Sequence, residues 1–239
     1  NPYKSQLELW MEKTGRTVSP ASTDAPQGQD ALDSPLYWGT VLEPLVAEQY
    51  ARHTGHRVRR VNAILQHPDP QYSWMLANLD REVVGQPDVQ ILECKTAGLH
   101  GARLWKDGVP EYVQLQVMHQ LAVTGQQAAD VAVLLGGHQL EIHRIERNEA
   151  LIERLIGLEQ AFWWHVESDT PPLADAGESA ERALRCLYPE DNGQTCDFSQ
   201  DDTLSGQFSA LQQVRQQLDE LKTREAQLKH RLQEAMGEA

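Results

Sequence analysis

Apolar residues along this chain recur at two periods, and the switches between them outline its elements. Gln6 to Lys13 carries Leu7, Trp10 and Met11 at helical spacing, which predicts a short helix with one apolar side. Ser34 followed by Pro35 is a helix start, because serine caps free N–H groups and proline suits the first turn. The run LYWGTVLEPLVAEQYARHT then sets Leu42, Leu45, Val46 and Tyr50 at helical spacing, and Gly55 stops it. From His56 to Gln66 the pattern Val58, Val61, Ile64 and Leu65 among arginines predicts a strand with one exposed face. Gln71 to Val84 and Val89 to Lys95 predict two more strands, making an antiparallel meander joined by turns. Val109-Pro110 introduces a helix from Glu111 to Thr124 with Gly125 as its stop. Asp130 to Leu135 and Gln139 to Ile145 flank Gly136-Gly137-His138, a hairpin signal. Asn148 caps a helix that runs to Glu167, and Pro171-Pro172 breaks it.

The remaining segments lack that two-sided patterning. Thr17 to Asp33 is rich in Ser, Pro, Asp and Gly and reads as a loop. Beyond Pro172 the chain is polar and acidic to residue 203, with one helical piece around Ala180 to Leu187. From Leu204 a heptad ladder takes over: Leu211, Leu218, Glu225 and Leu232 share one position, and Val214, Leu221, Leu228 and Ala235 the other. The expected organisation is a compact core over 1–172, a connecting segment over 173–203, and a coiled-coil or amphipathic helix over 204–239.

Composition narrows the function classes. The chain has 239 residues, 40% hydrophobic, enough for one well-buried domain plus an appendage. No apolar run approaches a membrane span and no signal-peptide pattern opens the sequence, so the expectation is a cytosolic protein without a membrane partner. The three cysteines are read as free thiols of a reducing compartment, and no histidine sits at zinc spacing with them. A net charge of -14 excludes a basic surface overall but leaves room for a local one.

Chemistry concentrates in Asn78 to Thr96, reading NLDREVVGQPDVQILECKT. Strand alternation points Glu93 and Lys95 one way and Cys94 the other, and a hairpin can return Asp80 beside Glu93. Two carboxylates and a lysine on one face suit a hard divalent cation with an ammonium group beside it. The literal string Pro87-Asp88 before Glu93-x-Lys95 imitates a nuclease motif. Its odd spacing and its place in a turn make Asp88 the lesser candidate, kept as runner-up to Asp80. The Glu111 helix offers Gln116, His119 and Gln120 on neighbouring turns; the glutamines read either as a solvated helix face or as amides suited to a water or a phosphate oxygen. Glu43 reads on periodicity alone as a solvated residue beside an apolar stripe.

Four pieces in this order change that reading: Trp38-Gly39-x-x-x-Glu43, Met75-Leu76-Ala77-Asn78-Leu79-Asp80, Leu92-Glu93-Cys94-Lys95-Thr96, and Gln116-x-x-His119-Gln120-Leu121-Ala122-Val123-Thr124-Gly125. Together they resemble the YqaJ-type phage recombination exonucleases, relatives of the bacteriophage lambda exonuclease in the PD-(D/E)XK nuclease superfamily. The resemblance runs from about Pro2 to Pro172. It implies an α/β, restriction-endonuclease-like core of αβββαβ order, with a central mixed sheet flanked by helices and the coiled-coil helix appended. It implies a magnesium-dependent enzyme, manganese being an alternative ion, that digests one strand of linear duplex DNA from its 5′ end and leaves a 3′ overhang. Carried over by motif, Asp80, Glu93 and the main-chain carbonyl of Cys94 would hold metal, with two ions per site. Lys95 would act on the attacking water, Glu43 would complete the acidic cluster, and Gln116 would bind water or phosphate. Gln120 would share the amide contacts on the DNA side. Double-stranded DNA, a homotrimeric ring and a single-strand annealing protein would be the partners.

The sequence departs from the family twice. A second glutamine, two residues after the first, is here Met118. The N-terminal stretch that helps bind a 5′-phosphate should end just before Asn1-Pro2-Tyr3. An endonuclease, or an inactive DNA-binding scaffold of the same fold, is the competing reading. Supercoiled circles left intact would argue against the first, and mononucleotide release with Mg²⁺ or Mn²⁺ would argue against the second.

Overall fold

The structure is a computed structural model that describes residues 4–16 and 34–237. The expected loop over Thr17 to Asp33 lies outside the described residues. The chain divides into two units, 1–189 and 190–239.

In the first unit, helix α1 (Gln6–Lys13) is capped by Ser5. Helix α2 (Pro35–Thr54) has the Ser34 hydroxyl accepting the Tyr37 N–H, and Gly55 ends it in the left-handed conformation at φ 73°. Strand β1 (Arg57–Arg60) follows, then the short β2 (Leu65–Gln66) and β3 (Leu76–Ala77), then β4 (Arg81–Val84) and β5 (Ile91–Ala97). Helix α3 (Glu111–Thr124) leads to the β6 (Ala128–Leu135) and β7 (Gln139–Glu146) hairpin, to α4 (Glu149–Glu167) and to α5 (Glu178–Leu187). The main sheet has the order β1-β4-β5-β6-β7. Only β5 and β6 run parallel, and α3 supplies the crossover that such a pair requires.

The expected meander is therefore corrected. The segments His56–Gln66 and Gln71–Val84 each break in two, and β2 pairs with β3 in a separate ribbon, Leu65 opposite Ala77. Alternation at period two is the same whichever partner a strand takes, so the pattern carries no mark of the exchange. A 3₁₀ turn over Pro70–Tyr72, started where Asp69 accepts the Gln71 N–H at 2.9 Å, connects β2 to β3.

Each face of the sheet buries a different helix. Leu92, Cys94, Val83 and Ala132 meet Val46, Ala47 and Tyr50 of α2. Ile91, Ala129, Val131 and Val133 meet Val113, Val117 and Leu121 of α3, with Ile152 of α4 behind them. Fully buried aliphatics of this kind stabilise by about 1.5–3 kcal/mol each.

The unit also runs past the expected boundary at Pro172. Ala183 of α5 packs on Leu7, Trp10 and Met11 of α1, and the Ser5 N–H donates to Ser179 Oγ at 2.7 Å. Those contacts hold the end of the unit to its beginning. In the second unit, Asp201 caps helix α6 (Asp202–Met236), whose 35 residues include none that is buried. Among the described residues no helix is long and apolar enough to cross a membrane.

Candidate active site

Strands β4 and β5 pair at Glu82 opposite Ile91 and Arg81 opposite Leu92, and there the ladder ends. One further step in that register would set Asp80 opposite Glu93 and Leu79 opposite Cys94. The Cys94 N–H is not met by a strand carbonyl; it donates to Asp80 Oδ2 at 2.8 Å. A strand residue presents its N–H and C=O to the same edge, so the Cys94 carbonyl also faces this open edge and not β6.

Glu93 lies on the α3 side of β5 and is only 2% exposed. Its Oε1 accepts from Lys95 Nζ at 2.6 Å and from Gln116 Nε2 at 2.7 Å, while its Oε2 accepts from Gln120 Nε2 at 2.8 Å. Lys95 Nζ also donates to Gln116 Oε1 at 3.0 Å, closing a ring of three side chains. Gln116 and Gln120 reach one strand residue together because positions four apart share a helix face.

Glu43 joins from the other face of the sheet through Arg81. One guanidinium nitrogen, Nη1, donates to Glu43 Oε1 at 2.5 Å and to the Asp80 carbonyl at 2.6 Å. Sequence reasoning missed Arg81. Its signal was available: the residue shares a strand face with buried Val83, and an arginine placed there needs a partner.

The electrostatics follow from these pairings. Glu43 has Arg81 and Glu93 has Lys95, whereas Asp80 has no ion pair among the described residues. Burial first, then the charge of Glu93 and of Glu43, push the Asp80 carboxyl up to about 6, against the pull of the Cys94 N–H and of Lys95. Burial, followed by Asp80, also pushes the Cys94 thiol up, so it stays protonated on the α2 side. Cys94 contributes backbone only.

The fit to a metal rests on the chemistry of these donors. No group of three Asp, Glu, His or Cys side chains forms a cage among the described residues. Two carboxylates and a main-chain carbonyl on an open strand edge are oxygen donors for a hard divalent cation that keeps several waters. The uncompensated Asp80 charge is what such an ion would neutralise.

Three other residues singled out in the sequence are placed as follows. Gln120, expected on the DNA side, is 3% exposed and its amide N–H groups go to Glu93 and, at 3.1 Å, to the Asn78 carbonyl. It holds Glu93 in place, and among the described residues its Oε1 has no hydrogen-bond partner. His119 sits between Glu159, at 2.8 Å from Nδ1, and the Leu76 carbonyl, at 3.0 Å from Nε2. Two acceptors call for two donors, the imidazolium form. Its pKa is raised: burial works against the charge, and Glu159 with the Leu76 carbonyl outweighs it. Asp88 is exposed in the turn; its main-chain carbonyl accepts from Arg144 at 3.0 Å, and the Arg144 pKa is raised by Asp130 first, with the charges of Tyr50 and Asp88 adding to it.

Fold and site together define a restriction-endonuclease-like α/β protein with its acidic cluster where the central ladder opens. The structure is similar to that of an alkaline exonuclease from Laribacter hongkongensis, with a TM-score of 0.50 over 77% of this chain and 95% of that one. At 23% sequence identity the fold is what the two share. Residues 1–127 match the YqaJ-like viral recombinase domain. Over its whole length the chain is 34% identical to the uncharacterized protein YqaJ of Bacillus subtilis (strain 168), spanning 72% of that protein. The chain belongs to the YqaJ-like viral recombinase family.

Proposed function

We propose that this protein is a magnesium-dependent exonuclease that degrades one strand of linear double-stranded DNA from 5′ to 3′ and leaves 3′ overhangs for recombination. The observation that carries the reading is the Glu93–Lys95–Gln116 ring with Asp80 beside it on the open edge of β5. Asp80, Glu93 and the Cys94 carbonyl would hold the cation. When bound, such an ion supplies Lewis-acid polarisation of the phosphoryl oxygen and an acidified water. Manganese has the same ligand preferences, and two ions per site would fit the acidic cluster.

Lys95 has both tasks that hydrolysis needs at this position. Its ammonium group, partly exposed beside Glu93, orients the attacking water or screens charge on the phosphoryl oxygens. Gln116 is exposed and donates through one amide while accepting through the other end, so it can hold a water or a phosphate oxygen beside Lys95. Glu43 fixes Arg81, and Arg81 fixes the Asp80 backbone. A ring of three subunits around the duplex, acting beside an annealing protein, is the assembly the family resemblance supports.

The test is digestion of a linear duplex labelled at either end, with and without a 5′-phosphate, in Mg²⁺ and in chelator. Release of 5′-label as mononucleotides, only in Mg²⁺, supports the reading. Nicking of supercoiled circles would replace it with an endonuclease, and no hydrolysis of either substrate with an inactive scaffold.

A further inference from the structure

Helix α6 carries an apolar seam, and the charges beside that seam select its partner. Leu211, Val214, Leu218, Leu221, Leu228 and Leu232 line one face and are 45–66% exposed. In the heptad that places Leu211 at a and Val214 at d, positions e and g flank the seam. Between Leu211 and Met236, every charged residue at those positions is basic: Arg215, Lys222 and Lys229 at e, Arg224 and Arg231 at g. The acids lie elsewhere, Asp219, Glu220 and Glu234 on the outer face, with Glu225 on the seam itself. A chain of net charge -14 thus concentrates basic residues along both borders of one apolar stripe.

Self-pairing through this face meets like charges in either orientation. A parallel pair sets Arg224 against Lys229 of the second copy and Glu225 against its own copy, and no g–e contact unites opposite charges. An antiparallel pair sets e against e and g against g, lysine or arginine against the same. Like-charge contacts of this kind act against one pairing and leave another favoured.

We infer that α6 is a docking helix for a different polypeptide: an amphipathic helix whose apolar heptad seam is bordered by Asp and Glu and carries a basic residue opposite Glu225. Such a partner turns each repulsive flank contact into an attractive one and neutralises the Glu225 charge that the interface would bury. The seam serves recruitment, and it leaves any self-association to the first unit. This assignment does not depend on the nuclease reading, because it is scored by binding.

The experiment uses the full-length chain and two synthetic four-heptad peptides, identical at a and d, with Lys at the a position facing Glu225. One peptide has Glu at e and g, the other Lys. Calorimetry is expected to show the acidic peptide bound about tenfold or more tightly than the basic one, with the preference fading at high salt. The Arg224→Glu/Lys229→Glu/Arg231→Glu variant, which keeps good helix formers, should reverse the order. Leu218→Ser/Leu228→Ser should lose both peptides without changing the sedimentation coefficient of the protein alone. Equal affinity for the two peptides, or no binding of either, overturns the inference. So does tighter binding to phosphatidylserine vesicles than to the acidic peptide, or a wild-type oligomer that the Leu218→Ser/Leu228→Ser variant dissociates.

Discussion

Asp80 accepts the Cys94 N–H at 2.8 Å at the point where β4 and β5 stop pairing, so one carboxylate stands where a strand carbonyl would be. This exchange ends the ladder without leaving a buried N–H unsatisfied. It also leaves the Cys94 carbonyl on the same open edge as a carboxylate that has no ion pair among the described residues. The site follows from a strand that is one partner short.

Asp80 should consequently lower the stability of the metal-free protein at neutral pH. Its folded value, about 6, lies above the 3.8 of an unperturbed aspartate. Between those values the native chain holds a proton that the unfolded chain has lost, so stability falls as pH rises through that window. The full deficit, on the order of 2–3 kcal/mol, is present above pH 6. In urea titrations with chelator, Asp80→Asn should exceed the wild type in stability at pH 7.5 and match it near pH 4. Added Mg²⁺ should stabilise the wild type and not the variant; identical wild-type and mutant curves at both pH values would remove the premise.

Lys95→Ala should lower the rate of nucleotide release by about 10²–10⁴-fold while duplex binding in Ca²⁺ stays within a few-fold. Gln116→Ala should give a smaller loss, since Gln116 touches the same Glu93 oxygen but carries no charge. Both are read by single-turnover digestion of an end-labelled duplex. A Lys95→Ala enzyme that turns over at the wild-type rate would exclude the role given to that ammonium group.

Helices were legible in this sequence almost to the residue, because serine, asparagine and glycine caps at Ser34, Gly55, Gly125 and Asn148 are local signals. Strand partners were not. The separate β2–β3 ribbon and the early end of the β4–β5 ladder depend on pairing between segments, which period-two alternation does not encode. The same limit shaped the site. Asp80, Glu93 and Lys95 could be placed together by parity, but Arg81 as the link to Glu43, and Gln120 as a buried support for Glu93, appear only when the helices are set on the sheet.

Gln120 separates support from chemistry. Gln120→Ala leaves one Glu93 oxygen and the Asn78 carbonyl without their donor, at a cost of about 1–3 kcal/mol. It should lower the melting temperature by several degrees, whereas Gln116→Ala, at an exposed position, should leave it unchanged. Circular dichroism melts of the two variants make the comparison, and equal melting temperatures would contradict the assigned roles.

The His119–Glu159 contact gives a second pH dependence of opposite origin. His119 has a raised pKa. Its contribution is full below the ordinary histidine value near 6.5 and is lost as pH rises through the higher folded value. Glu159→Gln should remove about 1 kcal/mol at pH 6 and much less at pH 9, measured by denaturant titration. A penalty that stayed constant over that range would mean the imidazole is neutral throughout.

The last contrast is between the two aspartates that compete in the written motif. The hydrogen bond linking Asp88 to the rest of the protein is made by its backbone: its carbonyl accepts from the Arg144 guanidinium, which in turn pairs with Asp130 at 2.5 Å. Asp130 is 3% exposed and also accepts the Tyr50 hydroxyl at 2.6 Å, tying α2, β6, β7 and the turn before β5 together. Asp88→Ala removes none of these bonds and should shift the melting temperature by no more than about 2 degrees and leave turnover within about twofold of wild type. Asp130→Ala takes one acceptor from the buried Tyr50 hydroxyl and the carboxylate partner from Arg144, and should cost about 2–4 kcal/mol, with turnover retained well below its melting temperature. Asp80→Ala should do the reverse, keeping the fold and losing the Mg²⁺-dependent activity. If Asp88→Ala were the inactive variant, the turn and not the open edge of β5 would carry the chemistry.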